Sequence, residues 1–542
     1  MIAKNPTFTF VCYLFKENEN DINKLFKLVK GQSVINEYDP IEVKNDNFNN
    51  IQGFIKKTEP KEPKWTKKLK TVFNFPKIEN QSNSFLFFIT VKNRTFAFTM
   101  GYSYHSINKS KIVQDFGIKI AANELDMYSI KAIDARRLDY NAKLKRETTP
   151  NNDFMSSFDF DKNMELLHSL SGTTDKSTFS KSLIGKDSLK VITELNLDLI
   201  NDFCINLLDS YNKTNFKTNG FDFIENLKII DFDEEIKVAH EKLKERIVNK
   251  DKSLTLIQPS ADYYDIDSYT IEYKNYNKKI DELNLDTLLL FLEQNNLRNN
   301  ELNLKDLYIN INLGNKDEPV KQSIIELSYF EYFIKENKKY IFTDNKLYHV
   351  KTSYYKIIDK DLEEYITKEL KDLNVIAFNH KNEKGELSEG IYNDDFSIKN
   401  SHIVINLDKQ NFKNIPNRPY DKIEICDILT KNKEFICIKR YKNSSQSLSH
   451  LLSQCIVSCE LLINEKKYRD IINKSFYNVH SIGLFDDLDN INKNEITYIY
   501  GIISKKEILD LPFFSKIALR QSIKNIVSSG IKVKVLKIDN NS

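Results

Sequence analysis

From Glu389 to Ile538 the hydrophobic pattern changes period in a fixed order, and that order constrains the fold of this chain more than any other feature. Glu389–Phe396 is spaced as a short helix. Ile403–Leu407, Ile423–Leu429 and Phe435–Arg440 alternate as three strands, the last two joined by the tight turn Lys431-Asn432-Lys433. Ser447–Leu462 sets Leu448, Leu451, Leu452, Cys455 and Cys459 on one helical face. Ile496–Ile503 then reads as a strand, Ser515–Ser528 as a helix and Ile531–Ile538 as a strand. Period 2 marks half-buried strands and period 3.6 marks amphipathic helices. The expected fold class is therefore mixed α/β.

Helix, three strands, helix, strand is an order that resembles the PD-(D/E)xK nuclease core, a restriction-endonuclease-like fold. The resemblance implies an acid on the second strand and an acid-x-Lys on the third, together holding Mg²⁺ and a water. The metal lowers the pKa of that water and stabilises the pentacovalent phosphate, while the Lys orients or charges the nucleophile. Asp427 stands on the second strand and Lys439 on the third. Glu389 is the acid the first helix would add, and Gln454 is the polar residue the following helix would turn to the site. The catalytic candidates are Asp427, Lys439, Glu424 and Gln454, and the metal candidates are Asp427 and Glu424. Lys439 and Arg440 would also contact nucleic acid.

The match departs from the pattern at one place. Cys437, two residues before Lys439, occupies the position of the acid, and Mg²⁺ takes oxygen ligands. Glu424 would replace the missing acid from the neighbouring strand. Strict alternation sends Glu424 and Asp427 to opposite faces, so a bulge or a strand end at Asp427 is required. The ordinary alternative is that these carboxylates pair with nearby Lys on a solvated face and that Lys439-Arg440 is a strand-end charge pair.

Upstream, residues 1–150 read as an N-terminal α/β domain, 151–345 as a mixed, helix-rich region and 346–542 as the nuclease-like domain; roughly three to four domains is the expectation for 542 residues. Thr7–Phe15 alternates as a strand and Asp21–Lys30 reads as a short helix. Ser84–Val91 and Thr95–Met100 form a hairpin, and Ile107–Ala122 reads as a helix with Ile112, Phe116 and Ile120 on one face. Ser169–Lys190 has loop composition. Its Gly185-Lys186-Asp187 is no phosphate loop, because Ser180 stands where the first Gly belongs and Asp187 where a Ser or Thr must follow the Lys; no nucleotide cofactor is expected. Leu197–Tyr211, Glu234–Asn249, Leu283–Gln294 and Asp359–Leu370 read as helices, and Tyr340–Val350 as a hairpin. Lys56–Lys70, with seven Lys, Pro60, Pro63 and Trp65, reads as an exposed, solvated connection, with a nucleic-acid arm as the alternative.

There are 80 basic and 77 acidic residues, so any surface for DNA or RNA must be local. No stretch approaches ~20 uncharged apolar residues, and no basic leader precedes a cleavage site, so neither a membrane partner nor a signal peptide is expected. Six Cys are too few for a disulfide scaffold, which fits a cytoplasmic protein with reduced thiols. Cys426, Cys437, Cys455 and Cys459 lack a CxxC pair, and buried thiols are the commoner outcome. Oligomeric state is not legible.

Several stretches carry a second resemblance. They are Phe98-Thr-Met-Gly-Tyr102, Asp115-Phe-Gly117, Ile133-Asp-Ala-Arg136-Arg137-Leu-Asp139, Gly185-Lys-Asp187-Ser, Glu424-Ile-Cys-Asp427, Leu448-Ser-His450-Leu-Leu-Ser-Gln454 and Leu511-Pro-Phe-Phe-Ser515. The chain resembles a sporadically distributed bacterial family of about this length with no settled activity, and that distribution implies a setting in defence against phage and other mobile DNA. Arg136 and Arg137, beside Asp134 and Asp139, would be either an ion-pair cluster or a phosphate contact. The expected function is a defence protein acting on nucleic acid by metal-dependent phosphodiester cleavage. A non-catalytic nucleic-acid sensor is the alternative, and a toxin or interaction protein active through its N-terminal half is a third.

Overall fold

The computed structural model describes residues 8–29, 32–44, 48–137, 144–162, 165–174, 182–193, 197–230, 232–257, 266–313, 319–334, 338–408, 411–412, 423–441 and 446–542. The chain divides into two units, one within residues 8–236 and the other within 237–542.

The first unit is built on one antiparallel sheet. Its strands are β1 (Phe8–Leu14), β2 (Asp39–Ile41), β3 (Ile51–Lys57), β4 (Asn83–Val91) and β5 (Arg94–Met100), then β6 (Ile130–Arg137), β7 (Leu144–Asp153), β8 (Glu165–Thr173), β9 (Ser182–Gly185) and β10 (Leu189–Thr193). Their spatial order is β2-β3-β4-β5-β1-β10-β9-β8-β6-β7. Alternation along β1 supplies both faces: Phe10, Cys12 and Leu14 join one core, Tyr13 and Phe15 the other. Helices α1 (Phe116–Glu124) and α2 (Ile200–Asn212) bury Phe116, Ile120, Phe203 and Leu207 in the first of these cores. The β4–β5 hairpin turns through Lys92 and Asn93, both at positive φ, as a two-residue turn requires.

Three expectations fail here for local reasons. Asp21–Lys30 makes only a single helical turn, Ile22–Leu25, because Phe26 becomes extended and pairs with Ile107. The helix expected from Ile107 starts at Phe116: Ile112 bridges to Phe15 and lies in the opposite core, so its helical spacing to Phe116 is fortuitous. The supposed loop Ser169–Lys190 supplies the end of β8, all of β9 and the start of β10, while residues 175–181 lie outside the described residues. Residue 150 falls inside β7.

After the helix Asp233–Val248, the second unit has β11 (Ile266–Tyr273), β12 (Tyr276–Ile280), β13 (Leu307–Leu313) and β14 (Val320–Ser323), in the order β12-β11-β13-β14. It continues with the meander β15 (Ser328–Ile334), β16 (Lys338–Thr343) and β17 (Lys346–Val350). This region holds more strand than its expected helix-rich character; β13 alternates buried and half-buried residues along its whole length. Helix α3 (Thr352–Glu363) precedes the position read from sequence, since Tyr354, Ile358 and Leu362 form its buried stripe and the chain is extended by β18 (Ile366–Thr367).

The C-terminal part follows the expected order. Its elements are α4 (Glu389–Lys399), β19 (Val404–Asn406), β20 (Ile428–Thr430), β21 (Glu434–Arg440), α5 (Gln446–Asn464), α6 (Lys466–His480), β22 (Thr497–Ser504), α7 (Phe513–Ser528) and β23 (Lys532–Asp539). The sheet order is β18-β23-β22-β21-β20-β19; β19, β20 and β21 are antiparallel, and β21, β22, β23 and β18 are parallel. Ile436, Ile438 and Ile499 pack with Tyr392 and Phe396 of α4. The intervening residues face the other way, where Tyr498 meets Ser458 of α5 and Tyr500 meets Ser522 of α7. The sheet thus carries helices on both faces, as parallel strands demand. Among the described residues, no helix is long and apolar enough to cross a membrane.

Candidate functional site

The segment expected as one strand, Ile423–Leu429, is broken. Ile423–Glu424 pairs with Asn411–Phe412, residues 425–427 are in no strand, and β20 begins at Ile428. The break removes the alternation that would have sent Glu424 and Asp427 to opposite faces. Ser458, on the otherwise apolar face of α5, fixes it. Its hydroxyl donates to Ile425 O at 2.6 Å. With that proton committed, the Tyr468 and Tyr498 hydroxyls donate to Ser458 at 2.9 and 2.8 Å. Gln454, one turn earlier on α5, donates through Nε2 to Glu424 Oε2 at 3.2 Å.

Asp427 is inserted at the start of β20, 7% exposed. Its amide donates to Ile436 O at 3.0 Å, and its Oδ2 accepts the Ile438 amide at 2.5 Å. The carboxylate therefore continues the ladder onto β21. At the far end of β21, Lys439 Nζ meets Glu389 Oε2 at 2.7 Å, and the Arg440 amide donates to Glu389 Oε1 at 3.1 Å. Glu389 is the first residue of α4, which is capped by Ser388. The Arg440 guanidinium stands 5.8 Å from the Phe378 ring.

These groups share one field. Burial pushes the Asp427 carboxyl up to about 7; the Ile438 amide and Lys439 oppose the shift, and Asp408 and Glu424 add to it. Burial acts to lower Lys439, but Glu389, Asp427 and Glu424 outweigh it and hold the ammonium above its usual value. The structure thus brings together Glu389, Glu424, Asp427, Lys439 and Gln454. Asp408 joins them electrostatically; it follows the β19 strand in a loop, where no periodicity marks it. Ser458 was legible only as a polar residue on an apolar stripe.

Cys437 is fully buried and its thiol contacts that of Cys455, with Cys426 adjoining. Burial raises the Cys426 and Cys455 thiols well above their usual value, so both stay protonated and inert. Among the described residues no group of three or more His, Cys, Asp or Glu is placed to hold a metal ion. Among the described residues an all-protein zinc or calcium cage does not fit. Mg²⁺ is commonly held by one or two carboxylates, with water and phosphate completing its shell; Asp427 and Glu424 are oxygen donors of that kind, each with one oxygen already accepting a hydrogen bond. His450 is exposed on α5.

In the first unit the N-terminal motifs also meet. The backbone of Gly117 in α1 lies against the β9–β10 turn Gly185-Lys186-Asp187-Ser188, with the Ile118 amide donating to Lys186 O at 2.9 Å. A Cβ on Gly117 would stand 1.9 Å from Ser188 O, and one on Gly185 would stand 2.1 Å from Gly117 O. Lys186 Nζ reaches Asp134 at 3.1 Å, and Arg146 grips the same carboxylate at 2.7 and 2.8 Å. The Arg146 hydrogen bond, with Lys186 adding and burial opposing, holds Asp134 down to about 2. Arg136 is half-buried on β6 beside this cluster, and the side chain of Arg137 lies outside the described residues.

The geometry defines a two-unit mixed α/β protein whose C-terminal sheet gathers carboxylates and a lysine around β20 and β21. The chain belongs to the family of unknown function DUF6119, whose profile matches residues 10–539. No curated protein and no solved structure matches it.

Proposed function

We propose that the C-terminal part is a metal-dependent nuclease that cleaves phosphodiesters in DNA or RNA, in the restriction-endonuclease-like manner. The observation that carries this reading is the convergence of Glu389 from the first helix, Asp427 from just before the second strand and Lys439 from the third, with Glu424 and Gln454 beside them. Asp427 and Glu424 would hold Mg²⁺, which when bound lowers the pKa of a water and offsets charge on the phosphate. Lys439, kept cationic by Glu389, would orient the attacking water and neutralise the phosphate as negative charge builds. Gln454 holds Glu424 in place, and Arg440 would bind the backbone of the substrate. The setting we propose, on the resemblance to a sporadically distributed family, is defence against mobile DNA.

A second reading has its own support. Cys437 stands at the place of the third acid, and Asp427 spends one oxygen on the Ile438 amide. A core with those features would bind nucleic acid through Lys439 and Arg440 without cutting it. Incubation with linear and circular DNA and with RNA, in Mg²⁺, Mn²⁺ or EDTA, separates the two. The nuclease cuts only with metal and stops in Asp427→Asn and Lys439→Ala. The sensor cuts nothing and gives a salt-sensitive gel shift that Asp427→Asn leaves intact.

A further inference from the structure

Residues 58–82 form an excursion between β3 and β4, which are hydrogen-bonded neighbours. It is closed at its base: the Thr58 amide donates to Ser82 O at 3.0 Å, and Lys61 and Asn80 exchange backbone bonds of 3.0 and 2.9 Å. Within it Lys64–Leu69 is a short helix, pinned by buried Thr66, whose hydroxyl donates to Pro63 O at 2.6 Å. With Thr66 turned inward, Trp65 is turned out. Trp65 is 52% exposed, Phe73 56% and Val72 75%. The Phe75 ring lies 5.5 Å from Trp65 and 6.0 Å from Phe73, so three rings stand in a row. Single exposed apolar residues are ordinary, but a contiguous patch marks a binding surface.

The charge around these rings is equally uneven. Residues 58–82 hold six Lys and three Glu, a balance of +3, and the whole chain carries +3. The rest of the molecule is therefore balanced, and the net positive charge is matched by this excursion. Lys70 and Lys77 pair with Glu62 and Glu79 yet stay open to solvent.

We propose that this excursion binds single-stranded nucleic acid, with bases stacked on Trp65 and Phe73 and phosphates tracked by the surrounding lysines. Unpaired bases offer the flat apolar faces that such rings accept, and the contact is tolerant of sequence. A duplex keeps those faces stacked inside. An anionic lipid surface shares the charge, but a helix of six residues with an inward Thr66 lacks the long apolar face of an interfacial anchor. The proposal rests on the reading above only in taking nucleic acid as the ligand, and its test has no cleavage step.

Trp65 is the single Trp of the chain, so its fluorescence reports this surface directly. The full protein in EDTA is titrated with oligo(dT), oligo(U), a duplex of equal length and phosphatidylglycerol vesicles. Both single strands should quench Trp65, with affinity falling as salt rises. Phe73→Ala, which keeps the reporter, should weaken oligo(dT) binding about fivefold or more. Trp65→Phe, followed by anisotropy of a labelled oligonucleotide, should bind more tightly than Trp65→Ala. Quenching by vesicles alone, equal or better binding of duplex, or oligo(dT) binding with Trp65 fluorescence unchanged would overturn the proposal. Cleavage in the separate Mg²⁺ assay with no quenching here would sink this inference and spare the nuclease; quenching here with no cleavage there would do the reverse.

Discussion

Asp427 is the residue on which most of the proposed chemistry turns, and its ionisation gives a thermodynamic test. Its carboxyl is held up near 7 by burial, while an unfolded Asp titrates near ~3.9. The folded chain therefore keeps a proton that the unfolded chain has lost between those values. The stability this contributes is full below the unfolded pKa and is lost as pH rises through about 7. In Asp427→Asn the Ile438 amide keeps its acceptor and the titration disappears. The melting temperature of wild type relative to this variant should fall steadily from pH 4 to pH 7 and then level off, at a slope of up to about 1.4 kcal/mol per pH unit. A flat difference across that range would show that the carboxyl is charged in the folded state. The same ionisation bears on function: any metal-dependent rate should climb as pH passes through about 7, since only the carboxylate holds a cation.

At the scale of elements, close packing explains motifs that composition disguised. Gly117 and Gly185 let α1 settle on the β9–β10 turn, and a methyl group at either would overlap backbone atoms. Gly117→Ala should cost about 3 kcal/mol or more, read as a lowered urea midpoint, because no flexible side chain is there to yield. The Ser-, Thr- and Gly-rich composition of Ser169–Lys190 suggested a loop, but most of its described residues are strand, and Gly172 and Gly185 are there for close backbone approach. The C-terminal elements were legible because their stripes are strongly periodic and their turns are short. The N-terminal helix boundaries were not, since Ile112 and Phe116 keep helical spacing while lying in opposite cores. Within the site, sequence pattern placed Lys439 and Glu389 on the right elements and Asp427 one residue short of its strand. It could not show the break at 425–427, which Ser458 imposes from 33 residues away along the chain.

At the scale of the molecule, the second unit is tied together by buried charge as well as apolar contact. Glu331 on β15 accepts from Lys339 Nζ on β16 at 2.8 Å and from the Phe513 amide of α7 at 2.7 Å. Lys516 of α7 in turn pairs with Asp359 of α3 and donates to Leu509 O at 2.8 Å. Burial would raise Glu331, yet Lys339, the Phe513 amide and Tyr329 hold it below the usual carboxylate range. The Leu511-Pro-Phe-Phe-Ser515 stretch thus joins the β15–β17 meander to the helix that packs on the C-terminal sheet. Lys339→Met strands the Glu331 charge and should cost about 3–5 kcal/mol in chemical denaturation. Glu331→Gln combined with Lys339→Met should recover much of that loss; a double-variant loss equal to the sum of the two single losses would mean the pair does not couple.

The claim that Glu389, Asp427 and Lys439 form one phosphodiesterase site is tested most directly by the single-turnover cleavage rate of DNA and RNA in Mg²⁺, wild type beside Asp427→Asn. Metal-dependent strand scission in the wild type, reduced at least about a hundredfold in the variant, is the result this account predicts. Equal rates in the two proteins, or no scission of either nucleic acid in Mg²⁺ or Mn²⁺, would contradict it.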